Sequence, residues 1–243
     1  MRALPRVAAI LAGGLGTRLA SSVPDRPKVL AEVGGRPFLS WVLDRLDQQG
    51  FERVVLCTGH RAGQVARTLG RSHGNLDLLH SPEPVPLGTA GALRYARDEL
   101  GEGPVLVLNG DSWCDADLEG FAREHRVRRA MISLLLTQLD DTSAYGRVET
   151  DDETAVTRFR EKSPESGPGW INSGIYLFEP SVIAAIPEGQ KVSLETDIMP
   201  AWTGLGLHGF RRGREFLDIG TPECLERAQE WIPERAGGAV TAR

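Results

Sequence analysis

The residues best suited to chemistry sit near the amino terminus, where Leu11-Ala12-Gly13-Gly14-Leu15-Gly16-Thr17-Arg18 follows a short apolar run. Glycines let the backbone turn tightly and approach a ligand, and successive N–H groups can converge on phosphate oxygens. Arg18 adds a fixed cation, and Lys28, in Asp25-Arg26-Pro27-Lys28, offers a second. Together they suit a triphosphate. No Gly-Lys-Ser/Thr follows, so the loop is not a P-loop. Ser21-Ser22-Val23-Pro24 breaks the helix that a dinucleotide fingerprint would open. The bland alternative is a glycine-rich turn with a solvated lysine nearby, and the loop alone leaves both readings open.

These groups need a scaffold. Residues 7–11, 54–57 and 105–108 are short apolar runs, the pattern of parallel strands buried on both faces. Residues 38–48 carry apolar side chains at a helical period after Pro37, and 62–69, 89–100 and 118–125 also read as helices. Further strands are expected at 76–79 and 131–136. This rhythm predicts an α/β fold with a Rossmann-like, doubly wound, mostly parallel mixed sheet. After about residue 140 the texture becomes strand-rich. A hairpin is expected over 145–149 and 155–159, then a strand at 170–178 and short helices at 180–186 and 193–199. A last strand pair is expected at 206–211 and 215–219. Thr221 and Pro222 open the final helix as N-cap and first helical residue. The second half reads as a lid built onto the same sheet, and 236–243 as a disordered tail.

Composition narrows the partners. The 243 residues carry a net charge of −5, which excludes a broad basic surface and gives no case for nucleic acid. Arg123, Arg126, Arg128 and Arg129 read as a solvated helix end. Cys57, Cys114 and Cys224 are scattered and odd in number, so neither a disulfide framework nor a zinc site is expected. A reducing, cytoplasmic location follows as the default. No apolar run approaches the roughly 18 residues of a membrane span, and no membrane partner is expected. His60, His73, His80, His125 and His208 show no ligand spacing and read as surface or loop residues. No Gly-x-Ser-x-Gly elbow is present, so a serine hydrolase has no support.

The glycine loop with Pro27-Lys28 resembles the signature of sugar-1-phosphate nucleotidylyltransferases, the NDP-sugar pyrophosphorylases. The resemblance continues through Pro86-Leu87-Gly88-Thr89-Ala90-Gly91, Asn109-Gly110-Asp111, Tyr145-Gly146, Glu161-Lys162, Asn172-x-Gly174-x-Tyr176 and Asp218-Ile219-Gly220-Thr221-Pro222. Each motif is weak alone; six in this order are strong. Val29 departs from the pattern, since members usually carry a second proline after the lysine.

The resemblance implies NTP plus sugar 1-phosphate giving NDP-sugar and pyrophosphate, on the nucleotide-diphospho-sugar transferase fold. It implies one catalytic domain over 1–235, with a nucleotide-binding half to about 130 and a sugar-binding half over 131–235. Asp111 and Asp218 would be the Mg²⁺ ligands. Arg18 and Lys28 would hold the leaving pyrophosphate, and Lys162 the incoming sugar phosphate; with Asp111 these form the catalytic set. Leu11, Ala12, Gly13, Gly14, Gly16, Thr17, Glu83, Leu87, Gly88, Thr89 and Asn109 would complete the nucleotide site. Gly146, Glu161, Asn172, Gly174 and Glu195 would meet the sugar. The partners are the two small substrates, with a homo-oligomer left open.

Glu83 sharpens the choice of base. Uridylyl-type members often carry glutamine there, whose amide meets the donor and acceptor edge of uracil. A carboxylate only accepts, and guanine presents two adjacent donors, N1–H and its amine. Glu83 therefore favours GTP. Asn109-Gly110-Asp111-Ser112-Trp113-Cys114-Asp115, Gly169-Trp170-Ile171-Asn172 and Ser193-Leu194-Glu195 look most like the D-glycero-D-manno-heptose 1-phosphate guanylyltransferase branch. Mannose-, glucose- and N-acetylmuramate-1-phosphate enzymes using GTP, UTP, ATP or dTTP are the alternatives. With few residues after the final helix, no left-handed β-helix acyltransferase domain is expected. A catalytically silent nucleotide-sugar-binding module and a dinucleotide-dependent oxidoreductase are competing readings. Intact Arg18, Lys28, Asp111 and Asp218 argue against the first, and the broken helix after Gly16 against the second.

Overall fold

The computed structural model describes residues 4–14, 16, 19, 23–161 and 167–238. In chain order the strands are β1 (Val7–Ala12), β2 (Glu32–Val33), β3 (Arg36–Pro37), β4 (Arg53–Thr58), β5 (Ser72–His73), β6 (Leu76–Pro82), β7 (Val105–Asn109), β8 (Ser112–Ala116), β9 (Ile132–Leu139), β10 (Arg147–Thr150), β11 (Val156–Arg160), β12 (Gly169–Phe178), β13 (Leu207–Phe210) and β14 (Gly213–Asp218). The α-helices are α1 (Phe38–Gln48), α2 (Ala62–Leu69), α3 (Gly88–Tyr95), α4 (Arg97–Leu100), α5 (Leu118–Arg128), α6 (Pro180–Ala185), α7 (Met199–Trp202) and α8 (Pro222–Gly238). A 3-10 turn covers Lys28–Leu30 and a π-helical turn Leu194–Ile198.

The apolar runs form the parallel centre β6-β4-β1-β7. Strand β1 sends Ala8, Ile10 and Ala12 into one core and Ala9 into the other. Helices cover both faces, which is why these strands are apolar on consecutive residues. On one face Phe38, Leu39, Val42, Leu43 and Leu46 form the buried stripe of α1. On the other, Leu93 of α3 and Ile183 of α6 pack over the sheet. Next to β7 the chain reverses: β12 is antiparallel to β7 and to β9, and β13 pairs parallel with β9. The hairpin β10–β11 joins through Arg147, which pairs with Ile171 of β12.

The structure corrects several sequence expectations. The runs at 206–211 and 215–219 do not pair with each other. Strand β13 joins β9, while β14 pairs antiparallel with β8, Asp218 facing Ser112. Gly213 lies against the Leu136 carbonyl and Thr137, so the chain crosses the sheet instead of turning back. Strand β8 falls outside the expected elements; its Ser-Trp-Cys-Asp run carries no long alternation. The helix over 89–100 is interrupted at Ala96, which separates α3 from α4. Over 193–199, a π turn capped by Ser193 passes into α7. The final helix runs to Gly238, three residues into the expected tail, with Thr221 Oγ1 accepting from the Cys224 N–H at 3.3 Å.

His125 is buried, against expectation, because α5 packs on β9. Its Nδ1 is 2.6 Å from Ser133 Oγ and its Nε2 3.1 Å from Glu179 Oε1. Trp113 is buried in β8 with the Arg45 guanidinium over its ring, a packing role. No helix of the described residues is long and apolar enough to cross a membrane.

Candidate active site

Open α/β sheets bind ligands beyond the carboxyl ends of their strands. Here β1 ends at Ala12, β4 at Thr58, β6 at Pro82 and β7 at Asn109, and a cleft of about 440 Å³ opens at these ends. Leu11, Ala12, Gly13, Gly14, Gly16, Lys28, Glu83, Gly88, Thr89, Asn109 and Asp111 all line it. Leu87 is buried and does not line the cleft; its N–H donates to Glu83, which does. Thr17, Arg18 and Lys162 lie outside the described residues.

Pro27, in extended conformation, delivers Lys28 into its 3-10 turn. The ammonium sits 2.8 Å from Asp111 Oδ2, and the lysine side chain is only 12% exposed. A cation this sheltered is held at the cleft wall by its carboxylate instead of sampling solvent. Asp111 follows β7 and precedes β8, and its carbonyl accepts the Ile219 N–H at 2.9 Å. Strand β14 thereby brings Asp218 to the same rim. Asp218 Oδ2 accepts from Tyr145 OH at 2.7 Å and Oδ1 from the Gly220 N–H at 2.6 Å. The Tyr145 ring packs edge-on against Phe216 of the same strand. The two carboxylates, one paired with Lys28 and the other bonded to Tyr145 and Gly220, offer hard oxygen donors of the kind a small divalent cation takes alongside phosphate and water. Among the described residues no three His, Cys, Asp or Glu side chains converge as a metal cluster.

Glu83 stands at the far wall. Its Oε2 accepts the Leu87 N–H at 2.9 Å, and its backbone N–H donates to the Thr58 carbonyl at 2.8 Å. Burial pushes the Glu83 carboxyl up, and the Leu87 N–H pulls it partly back. The wall also includes Cys57, whose thiol burial pushes up to about 12.

The residues expected at the sugar interlock. Asn172 donates from Nδ2 to Tyr176 OH at 2.9 Å and accepts the Gly174 N–H at 3.1 Å. The Asn172 N–H donates to the Gly146 carbonyl at 2.9 Å. Gly174 has φ +72°, and a Cβ there would stand 2.7 Å from Asn109 Nδ2, so glycine lets β12 close on the end of β7. Glu161 approaches Gly146, with Oε2 2.9 Å from where a Cβ would be. Glu195 Oε2 accepts from Thr89 Oγ1 and from Ser193 Oγ, both at 2.9 Å, and Thr89 Oγ1 accepts the Leu194 N–H at 2.7 Å. A residue expected at the sugar is thus bonded to one expected at the nucleotide.

Two residues were missed. Tyr176 is fully buried among these groups; burial, then the Glu195 charge and less strongly that of Glu161, hold its phenol well above the usual range. It stood inside a motif but reads as an ordinary strand aromatic. Lys191 lines the cleft and is exposed. Its signal was available: the chain has three lysines, Lys28, Lys162 and Lys191, against many arginines.

The sequence pattern of the nucleotidyl transferase family matches residues 7–235. Mannose-1-phosphate guanylyltransferase of Mycobacterium tuberculosis is 35% identical over 224 residues, 90% of this chain and 62% of that one. D-glycero-alpha-D-manno-heptose 1-phosphate guanylyltransferase of Aneurinibacillus thermoaerophilus is 32% identical over 224 residues, 92% of this chain and 96% of that one. The chain therefore spans under two thirds of the first relative and nearly all of the second. Among solved structures, HddC from Yersinia pseudotuberculosis superposes with a TM-score of 0.83 at 32% identity, over 93% of this chain and 99% of that one. Its complex with GMP-PN gives 0.82 at 31% identity.

Proposed function

The chain belongs to the nucleotidyl transferase family, and from that premise we propose that it is a sugar-1-phosphate guanylyltransferase acting on D-glycero-D-manno-heptose 1-phosphate. The observation that carries this reading is the single cleft shared by the glycine loop, the Lys28–Asp111 pair and the Glu83 carboxylate. The relatives named above, guanylyltransferases of mannose and heptose phosphates, support both the base and the manno configuration.

A sugar-phosphate oxygen attacks the α-phosphorus of GTP in line, the bond to the β-phosphate bridging oxygen breaks, and pyrophosphate leaves with that electron pair. Two polyanions must be brought together, so positioning and charge neutralisation dominate. Backbone N–H groups of Gly13 and Gly14 face the triphosphate; Lys28, with Arg18, meets the developing charge on pyrophosphate. Lys162 draws in the sugar phosphate, and Lys191, which lines the cleft, adds a further cation. Asp111 and Asp218 would hold Mg²⁺, which supplies charge neutralisation to the phosphates when bound. Glu83 accepts guanine N1–H and the 2-amine. Gly146, Glu161, Asn172, Gly174 and Glu195 face the sugar hydroxyls, with the Tyr176 phenol fixing Asn172. A cytoplasmic location suits these substrates and three free thiols.

The test is pyrophosphate release from a matrix of nucleoside triphosphates against sugar 1-phosphates, with Mg²⁺. Release is expected with GTP and a manno-configured heptose phosphate. Silence across the whole matrix would overturn the enzyme reading. Release with UTP or ATP but not GTP would overturn the role of Glu83 alone, and mannose 1-phosphate as the better acceptor would move the assignment to that sugar.

A further inference from the structure

The base-reading carboxylate lies in a slot whose shape depends on a missing side chain. Glu83 follows β6, and its N–H bond to Thr58 pulls it over the end of β4. From there the side chain folds back across Gly59 toward Gly13. A Cβ on Gly59 would stand 3.1 Å from Glu83 Cδ, 3.2 Å from Cγ, and closer to Oε1 than real Cβ atoms come. A Cβ on Gly13 would be 3.1 Å from the same Oε1. The carboxylate is thus laid between two glycines at the ends of neighbouring parallel strands, with Oε2 pinned by the Leu87 N–H.

Gly59 has no left-handed φ, so alanine suits its backbone. The three atoms nearest to such a methyl all belong to the Glu83 side chain. Gly59 is not among the residues that line the cleft, so any effect on the base passes through Glu83.

We propose that Gly59 is a positioning residue for base selection: its lack of a side chain holds open the slot that aims Glu83 at the two N–H donors of guanine. This rests on the reading of Glu83 given above. A methyl at position 59 swings the carboxylate out, breaks its bond to the Leu87 N–H, and leaves the guanine amine without its acceptor. The chain loses discrimination at the base before it loses its fold.

The experiment compares GTP with ITP, which lacks the 2-amine, by calorimetric binding and by pyrophosphate release. Wild type is expected to prefer GTP. Gly59→Ala is expected to lower that preference about 10-fold, the scale of one hydrogen bond to a charged group, with melting temperature nearly unchanged. Glu83→Ala should do the same, and the double variant should lose nothing more, because both act on one contact. A wild-type preference retained in Gly59→Ala, or a further loss in the double variant, overturns the proposal. If Glu83→Ala leaves the preference intact, the base reading itself fails and Gly59 falls with it; if Glu83→Ala shifts it and Gly59→Ala does not, only Gly59 fails. Should Gly59→Ala not fold, the double variant must regain folding. A double variant that also fails to fold overturns the proposal, since the methyl then meets more than Glu83.

Discussion

The two sides of the cleft are built by different means. On the side proposed for the nucleotide, successive parallel strands end and each hands over a short segment: Leu11 to Gly16, Thr58-Gly59, Glu83 to Thr89, and Asn109 to Asp111. Much of the geometry there is backbone, as in Glu83 N–H to Thr58 and Gly110 N–H to Leu11. On the side proposed for the sugar, side chains from distant parts of the chain lock together. Thr89 and Glu195 are 106 residues apart, and Tyr145 and Asp218 are 73 apart. A site made of strand ends follows from local sequence; a site made of interlocked side chains follows only from the finished fold.

The largest effect is expected at the rim of the cleft. Asp111→Asn keeps the size of the side chain but removes the charge facing Lys28. Turnover should fall by about 100-fold or more, with a modest loss of melting temperature because Lys28 loses its counter-charge. Normal turnover in that variant would detach Asp111 from the reacting groups. A smaller effect is expected where the two sides are stitched. Thr89→Val removes the hydroxyl that donates to Glu195 and accepts from Leu194, at a cost of about 1–3 kcal/mol. Because the stitch joins both sites, KM should rise for nucleotide and sugar phosphate together. A rise for one substrate alone would show that the halves act independently.

The smallest effect lies beneath the sugar side, at His125. Burial holds its pKa down in the folded state, against the opposing pull of Glu179. The unfolded chain therefore takes up the proton first as pH falls. Stability is complete above the unfolded imidazole pKa, near 6.5, and declines below it toward the lower folded value. Urea unfolding at pH 7.5 and 5.5 should show a loss from this residue, at most about 1.4 kcal/mol over the one pH unit below 6.5. His125→Gln should flatten that slope, and an unchanged slope would assign the pH dependence elsewhere.

The same contrast explains what could be read in advance. The expected bounds of α1 and α2, 38–48 and 62–69, coincide with the helices, since an apolar stripe is a local property. The strand ends carrying Gly13, Lys28, Glu83 and Asp111 were legible because their motifs are contiguous. The partners of β13 and β14 were not, because two short strands of similar texture carry no mark of which neighbour they join. Tyr176 was hidden for a related reason: its strand is apolar on both sides, and nothing local says that its hydroxyl meets Asn172. Gly59 carries no chemistry of its own and becomes visible only when Glu83 lies across it.

The cysteines offer a practical handle. Cys57 and Cys114 are buried, and burial pushes both thiols up, Cys57 to about 12. Neither presents a thiolate to an alkylating reagent near neutral pH. Cys224 is part-exposed in the first turn of α8. A maleimide dye should therefore attach at one place in the unmodified protein, just beyond Asp218, and its fluorescence would report on the rim of the cleft without a single residue being changed.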